Sequence, residues 1–320
     1  MTDHIGIEVE CESFGVGRRE AALILEEGTW LVESDGSLRG NMSFELKSDG
    51  PQPVNHLRSH LAELYPVLMQ SSGTWRAAVH VHVDLRNQYW YKRALALAAA
   101  YAFDLCLFER FSPERVESNF CVPLSHKSMD VLACISRMIT SNEVTRYGKY
   151  SSVNVSRLHD LGTLEFRHMR TPECGESVRS VQEALRSIEE YARACHLITS
   201  SINMVRLRMK ERHNTGKAMA EQFLEMLSYI EMHNRRGSVL VPNHEHVGDV
   251  LHTLSGAPNF DITTLDLGSV VRVQDGREQR RRPRNSETLG EAMLSILEAA
   301  ENEGVATDFM FVEAEEPEPF

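Results

Sequence analysis

The chain has 320 residues, of which 42% are hydrophobic and 25% carry a charged side chain, and its formal net charge is -12. A chain of this length and composition can bury a large core without disulfides, in one large domain or two unequal ones. The acidic balance repels nucleic acid and anionic membranes, so neither is an expected partner.

The cysteines and the N-terminal segment bear on the cellular compartment. The six cysteines are widely spaced and form no Cys-x-x-Cys pair, which favours reduced thiols. The segment MTDHIGIEVECE lacks the basic start and apolar centre of a signal peptide, and no apolar run is long enough to span a bilayer. These features predict a cytoplasmic protein.

Strand and helix patterns alternate along the first half of the chain. Alternating apolar and polar residues predict strands, and apolar residues three and four apart predict helices. The predicted strands are Ile5–Cys11, Thr29–Glu33, Ser43–Ser48, Trp75–Leu85, Ser151–Arg157 and Thr163–Met169, the last two as a hairpin. The predicted helices are Val54–Met69, Tyr89–Phe108, Lys127–Ile139, Val178–Val205, Ala218–Met232, Pro242–Leu254 and Ser286–Glu301.

The order of these elements predicts the fold class and the domain organisation. Strands come first and helices dominate after Pro172, which favours an α+β fold with an antiparallel sheet over a doubly wound parallel sheet. We expect a core domain at 1–210, a helical extension at 211–304 with a solvated basic loop at 275–284, and a disordered acidic tail at 305–320.

Charged side chains recur opposite the apolar faces of these strands. Three or four carboxylates on one sheet face repel one another, and such an arrangement persists when cations neutralise it. Oxygen-rich sites with imidazole suit Mg²⁺ or Mn²⁺, and an arginine fork suits phosphate. The residues concerned are Glu8, Glu10, Glu45, His80, His82, Glu165 and Arg167.

Each of these pieces also has an ordinary interpretation. Glu8 and Glu10 fit a solvated strand face, and an isolated His-x-His pair is often structural or binds zinc. Glu165 and Arg167 fit a cross-strand salt bridge. No Gly-rich phosphate loop is present, so a nucleotide at this site would be held through metals and not through backbone amides.

The motifs together resemble a known family. GIEVE at 6–10, DGS at 35–37 before FELKS at 44–48, HVHVDL at 80–85, and YSSVN…TLEFRHMRT at 150–171 resemble the amidoligase family. That family belongs to the glutamine synthetase and glutamate–cysteine ligase superfamily of carboxylate–amine ligases. The resemblance covers about the first half of the chain.

The resemblance implies a fold, a reaction and a site. It implies a curved antiparallel sheet of the glutamine synthetase catalytic type with helices on its outer face, and a ligase that uses ATP and Mg²⁺ or Mn²⁺. A carboxylate is phosphorylated, and an amine displaces the phosphate to form an amide. The implied metal ligands are Glu8, Glu10, Glu45, His80 and Glu165.

The remaining implied roles concern phosphate and substrate. His82 and Arg167 would contact phosphate, although His80 and His82 could exchange roles. Asp35 would orient the amine or act as its base, and Asn154 would face substrate. Arg146 and Arg170 would hold a substrate carboxylate or the γ-phosphate, with plain surface roles as the alternative.

Two other functions stay open beside the ligase. The same carboxylates would serve a metal-dependent phosphotransferase or hydrolase, and a degenerate member of the fold would bind without catalysing. The partners expected are small-molecule or peptide carboxylates and amines, whose identity and the oligomeric state the sequence leaves open. The second His-x-His pair, His244 and His246, lies in a Pro/Asn-rich turn and is expected to be solvated. Cys11 is expected to be a buried thiol.

Overall fold

The computed structural model describes residues 4–13, 15–25, 28–39, 42–72, 76–141, 143–144, 150–174, 177–205, 215–234 and 240–255. Four predictions fall outside these ranges: the role of Arg146, the basic loop, the helix Ser286–Glu301 and the acidic tail. They stay predictions.

The described residues pack into two compact units. The first unit takes its residues from Met1–Gln88, Asp104–Lys127 and Arg146–Ser200, and the second takes the others. The expected domain boundary near residue 210 stays a prediction.

The first unit is built on an antiparallel sheet, with strand order β2-β3-β1-β6-β8-β7 and with β4 and β5 paired to β1. Among the described residues the strands are β1 (His4–Ser13), β2 (Trp30–Glu33), β3 (Ser43–Ser48), β4 (Gln52–Pro53), β5 (Ser71–Ser72), β6 (Ala78–Asp84), β7 (Val153–Asn154) and β8 (Thr163–Arg170). This pairing confirms the α+β class with an antiparallel sheet.

Helices account for most of the other elements. In the described ranges the α-helices are α1 (Arg18–Ile24), α2 (Leu57–Ala62), α3 (Tyr65–Leu68), α4 (Trp90–Phe111), α5 (Ser128–Ser141), α6 (Ser156–Asp160), α7 (Val178–Ser200), α8 (Thr215–His233) and α9 (His244–Ser255). None of these helices has both the length and the apolar character that a membrane span requires.

The core of the first unit lies on one face of the sheet. The isoleucines and valines of β1 and β6 are almost fully buried there, and α7 packs against both strands with its apolar side. Burial of this apolar area favours folding by about 25 cal/mol per Å². Because side chains alternate along a strand, the polar residues between these apolar ones fall on the opposite face.

A buried polar network holds the end of β8 in place. The carboxylate of Asp104 accepts hydrogen bonds from the Ser152 hydroxyl and the Leu124 backbone N–H, and it lies 2.8 Å from His168 Nε2. The backbone N–H of His168 donates to the Tyr191 hydroxyl on α7. All these groups are enclosed, so each needs the partners it has.

Two predicted elements have a different local structure. The predicted helix Val54–Met69 is a 3₁₀ turn followed by α2 and α3, and Pro66 lies in the first turn of α3, where its missing N–H costs nothing. The predicted hairpin is reduced to a short pairing of β7 with β8, because the chain enters α6 after Asn154. The Asn154 side chain accepts from the Ser156 N–H at this change of direction.

In the second unit, helix α9 packs against α5 and α8. The expectation of solvated histidines in this region is wrong for His246, which is buried in the first turn of α9. Its ring stacks on Tyr101 at 4.1 Å, and its Nδ1 lies 2.8 Å from the Tyr101 carbonyl oxygen. The Tyr101 hydroxyl in turn donates to Asp249. The stacked rings of His246 and Tyr101 therefore have a packing role.

The six cysteines all lie in described ranges, and no two of them form a disulfide. Cys11 is fully enclosed on the core face of β1, as expected. Burial raises the pKa of the Cys121 thiol to about 11, which keeps it protonated.

Candidate functional site

Strand β1 is the centre of the polar face, because β3 and β6 pair with it on either side. Glu8 lies directly opposite Lys47 on β3 and opposite His80 on β6. Glu10, two residues further along β1, lies opposite Glu45. Cross-strand neighbours are about 4.5–5.5 Å apart at Cβ. This register alone therefore brings Glu10, Glu45, Lys47 and His80 close to Glu8.

His80 lies among three carboxylates. Its Nδ1 is 3.1 Å from Glu8 Oε2 and 3.6 Å from Glu165 Oε1, and its Nε2 is 3.7 Å from Glu10 Oε1. Glu10 is itself held in place by the Ala78 backbone N–H, which donates to its Oε2 at 2.7 Å. The imidazole therefore connects β1, β6 and β8.

His82 extends the same row by one pleat. Its Nε2 lies 3.5 Å from Glu8 Oε1, and its Nδ1 lies 3.2 Å from the hydroxyl of Thr163 on β8. Glu165 is its direct neighbour in the β6–β8 register.

Glu165 is surrounded by donors. Arg167 donates to its Oε1 at 3.1 Å, and Asn154 and Arg157 donate to its Oε2 at 2.7 and 3.3 Å. Arg157 was missed by the sequence analysis because it lies in α6, where a strand was predicted. Its spacing of eight residues from Glu165 across a turn was the available signal.

Lys47 was also missed, and it lies within the carboxylate cluster. Its ammonium is 2.9 Å from Glu45, 3.0 Å from Glu33 and 3.9 Å from Glu8. It shares the strand face of Glu45 by simple alternation, so the FELKS motif already contained the signal. A cation within the cluster reduces the charge that other cations would need to balance.

Burial separates this cluster from an ordinary solvated strand face. Glu10, Glu45, His80 and Glu165 are each no more than 5% exposed. Charged groups in such surroundings require partners, since an isolated buried charge is costly. The structure therefore makes the solvated-face interpretation wrong for Glu10.

The electrostatics divide the carboxyls into two kinds. Burial alone would raise the pKa of Glu8 and Glu165, but His80 and His82 outweigh it and lower both pKa values. Burial and the neighbouring Asp35 charge raise the pKa of Glu10 to about 8. Two carboxyls near one another cannot both ionise freely without a cation.

Glu45 and Asp35 complete this second part of the cluster. Burial and the Glu8 charge raise the pKa of Glu45 to about 7, with Lys47 opposing the shift. Burial would also raise the pKa of Asp35, but hydrogen bonds from Ser37 outweigh it and lower that pKa. Ligand atoms of Glu10, Asp35 and Glu45 all lie within 4.8 Å of one another.

The donor set fits divalent cations. Among the described residues three groups have ligand atoms within 4.8 Å of one another, namely Glu8–Glu45–His80, Glu8–His82–Glu165 and Glu10–Asp35–Glu45. The buried Nε2 atoms of His80 and His82 have no hydrogen-bond partner, although carboxylate oxygens lie 3.5–3.7 Å away. Those separations are too long for hydrogen bonds and near the roughly 3 Å expected between two ligands of one cation.

The titration of this cluster leads to a prediction on stability. A carboxyl whose pKa is raised on folding stabilises the folded state at low pH, and the contribution is lost between the unfolded and folded pKa values. For Glu10 and Glu45 this loss runs from the ordinary value of 4.5 to about 8 and about 7. Glu8, with a lowered pKa, contributes a constant amount across this window, and the shifts of His80 and His82 oppose each other.

We therefore expect the metal-free protein to lose a few kcal/mol of its free energy of unfolding between about pH 5 and pH 8. Mg²⁺ or Mn²⁺ should raise the melting temperature more at the upper end of this range, since protons no longer compete for Glu10 and Glu45. Thermal unfolding with and without metal measures both effects, and Glu10→Gln should flatten the dependence. Stability that rises with pH in the absence of metal would contradict the assignment.

The other expected site residues differ in position. Asn154 lies in the cluster through Glu165, whereas Arg170 is ion-paired with Glu173 and lines a separate cavity of about 600 Å³ with Arg110 and Glu190. A β-bulge in the β6–β8 pairing, between Val79 and Val81, separates Glu165 from Arg170 along β8. Arg170 therefore has a structural partner already, and its expected role at the substrate stays untested.

The chain gives no match in a scan against protein-family models, and a search of curated proteins gives none. The resemblance to the amidoligase family therefore rests on the sequence motifs alone.

Proposed function

We propose that the protein is an ATP- and Mg²⁺- or Mn²⁺-dependent carboxylate–amine ligase with a sheet of the glutamine synthetase catalytic type. The observation that carries the proposal is the convergence of carboxylates and imidazoles from β1, β3, β6 and β8 beside Arg167. A site rich in oxygen ligands beside a guanidinium suits metal-bound phosphate, and the chain offers no Gly-rich loop as another phosphate cradle.

The residues that would hold the cations are Glu8, Glu10, Glu45, His80, His82 and Glu165. Cations bound there would neutralise the β- and γ-phosphates of ATP during phosphoryl transfer to the substrate carboxylate. The lowered pKa of Glu8 and Glu165 keeps both carboxylates ionised and able to bind a cation at neutral pH. Glu8 and Glu45 each contribute to two of the three ligand groups, and Glu8 is the ligand that shares one group with Glu45 and another with Glu165.

The arginines would act on the transferred phosphoryl group. Arg167 is mostly buried and is held by Glu165, so its orientation is set before substrate arrives. Arg157 is held by the same carboxylate but is nearly half exposed, which leaves it able to reach an incoming anion. A guanidinium already in place loses little entropy when it binds a phosphate oxygen.

Asp35 would position the amine. It lies close to Glu10 and Glu45, is only half buried, and has a lowered pKa, so it stays an anion at neutral pH. An anion of this kind attracts an ammonium group strongly but retains a proton weakly. We therefore propose that Asp35 mainly orients the amine, and that its role as the base that accepts the amine's proton is secondary.

Nucleotide turnover tests the ligase directly. The purified chain would be incubated with ATP and Mg²⁺ against panels of carboxylates and amines, with ADP release measured and the amide product identified by mass spectrometry. Hydroxylamine in place of the amine should trap an acyl phosphate as the hydroxamate. The proposal requires ADP release that depends on both substrates.

Other outcomes separate the competing functions. Phosphate release without an amine would favour a phosphotransferase or hydrolase on the same cluster. Nucleotide binding without turnover on any pair would favour a non-catalytic member of the fold. Absence of both binding and turnover would overturn the proposal.

A further inference from the structure

The positively charged Lys47 ammonium lies at a position where the carboxylate cluster would provide ligands for a metal cation. Its ammonium donates to Glu45 Oε2 at 2.9 Å and lies 3.9 Å from Glu8 Oε1. Glu8 and Glu45 are two of the three members of the Glu8–Glu45–His80 group. The ammonium and a divalent cation would therefore compete for the same carboxylate oxygens.

The third member of that group shows that Lys47 is an incomplete substitute for a metal. The Lys47 ammonium donates to the carboxylates of Glu45 and Glu33 and could satisfy a neutral imidazole only by donating to its unprotonated nitrogen as well. His80 is 4% exposed, and its Nε2 has no hydrogen-bond partner in the presence of Lys47. A divalent cation would satisfy the carboxylates and the imidazole together.

We propose that Lys47 is an internal cation that occupies the Glu8–Glu45 position in the metal-free protein and that a divalent cation must displace it. The inference rests on the proposed cation-binding function and adds a residue that weakens cation binding at the groups that include Glu45. The Glu8–His82–Glu165 group does not include Glu45, the ligand that Lys47 contacts most closely.

The structure also provides a place for the displaced ammonium. Glu33 on the edge strand β2 accepts from Lys47 at 3.0 Å, has a side chain 52% exposed, and belongs to none of the three ligand groups. The Lys47 side chain is itself 30% exposed. A rotation toward Glu33 and solvent keeps one ion pair while it releases Glu45.

Mn²⁺ titration of the full chain tests the displacement. Lys47→Met and Lys47→Gln remove the charge, and we expect the weakest class of Mn²⁺ site to tighten by at least about tenfold, because like charges a few ångströms apart repel strongly. Lys47→Arg keeps the charge as a matched control and should bind Mn²⁺ within about threefold of wild type. Free Mn²⁺ measured by electron paramagnetic resonance gives affinity and stoichiometry without any need for turnover.

A second measurement uses the wild-type chain and does not depend on a variant that folds. Amine-directed acylation followed by mass spectrometry reports how accessible each lysine is. Acylation of Lys47 should rise several-fold when Mg²⁺ is added, since its ammonium leaves Glu45 for solvent.

The outcomes distinguish this inference from the proposed function. If the wild-type chain binds Mn²⁺ and the neutral variants bind it no more tightly, the inference about Lys47 is overturned but the proposed function is not. The same holds if Mg²⁺ leaves the acylation of Lys47 unchanged. Neutral variants that weaken nucleotide affinity and leave Mn²⁺ affinity unchanged would make Lys47 a phosphate contact, which also overturns it. Absence of Mn²⁺ binding by wild type and all variants overturns the proposed function as well.

Discussion

Glu8→Gln is expected to weaken divalent cation binding and to remove amide-forming turnover while the fold persists. Glu8 contributes to two of the three groups of cation ligands and lies between Lys47 and His80 in the sheet register. Glutamine keeps the shape and one oxygen but loses the charge that binds a cation. Loss of an outer-shell partner alone costs roughly 10- to 100-fold in metal affinity, so loss of this ligand should cost at least about 100-fold.

The turnover of Glu8→Gln should fall by at least about a thousandfold, because a metal supplies several kcal/mol of transition-state stabilisation. Mn²⁺ affinity and amine-dependent ADP release are the measurements, with thermal unfolding as the check on folding. Glu183→Gln on the exposed side of α7, where Glu183 pairs only locally with Arg179, is the matched control. A Glu8→Gln protein with wild-type Mn²⁺ affinity would place the cations elsewhere.

Arg167→Ala is expected to lower kcat by about 100- to 1,000-fold with little change in Mn²⁺ affinity. The guanidinium stabilises charge that develops during phosphoryl transfer, and it does not ligate the cation itself. When Arg167 is removed, Glu165 Oε2 keeps Asn154 and Arg157 as donors, and Oε1 keeps His80 Nδ1 at 3.6 Å. This separates loss of catalysis from loss of the cation site.

The comparison variants sharpen the test of Arg167. Arg167→Lys keeps the charge but loses the planar fork, so partial rescue would indicate charge and no rescue would indicate bidentate geometry. Arg179→Ala, with a side chain 88% exposed on α7, is the control and should be unaffected. A parallel fall of kcat and Mn²⁺ affinity in Arg167→Ala would instead assign Arg167 to the support of Glu165.

The strand faces could be predicted because alternation is a local property of the chain. Glu8 and Glu10 share one face with no information beyond their spacing, and His80 and His82 likewise. The same reasoning correctly predicted Cys11 on the core face, and the order of strands and helices correctly predicted an antiparallel sheet. It did not predict His246, since a polar residue in a Pro/Asn-rich segment looks solvated until its stacking partner Tyr101 is known.

Sequence patterns describe only local spacing along the chain, and this also explains why Arg157 and Lys47 were missed. Arg157 was expected in a strand, yet Asn154 accepts from the Ser156 N–H and the chain enters α6 instead. Lys47 shared a motif with Glu45, but nothing in the spacing indicated that its ammonium would lie between Glu45 and Glu33. Each of these contacts depends on which strand or helix is the neighbour.

The amino-acid sequence by itself determined which side chains share a strand face and which chemistry that face could support, because the two-residue period of a strand depends on backbone geometry alone. Only the tertiary structure decided the register that sets Glu8 against Lys47 and His80, and the burial that raises the pKa of Glu10 and Glu45. Register and burial depend on residues that are distant in the chain. Together they bring the acidic residues of separate strands close enough to form a cluster that fits cations.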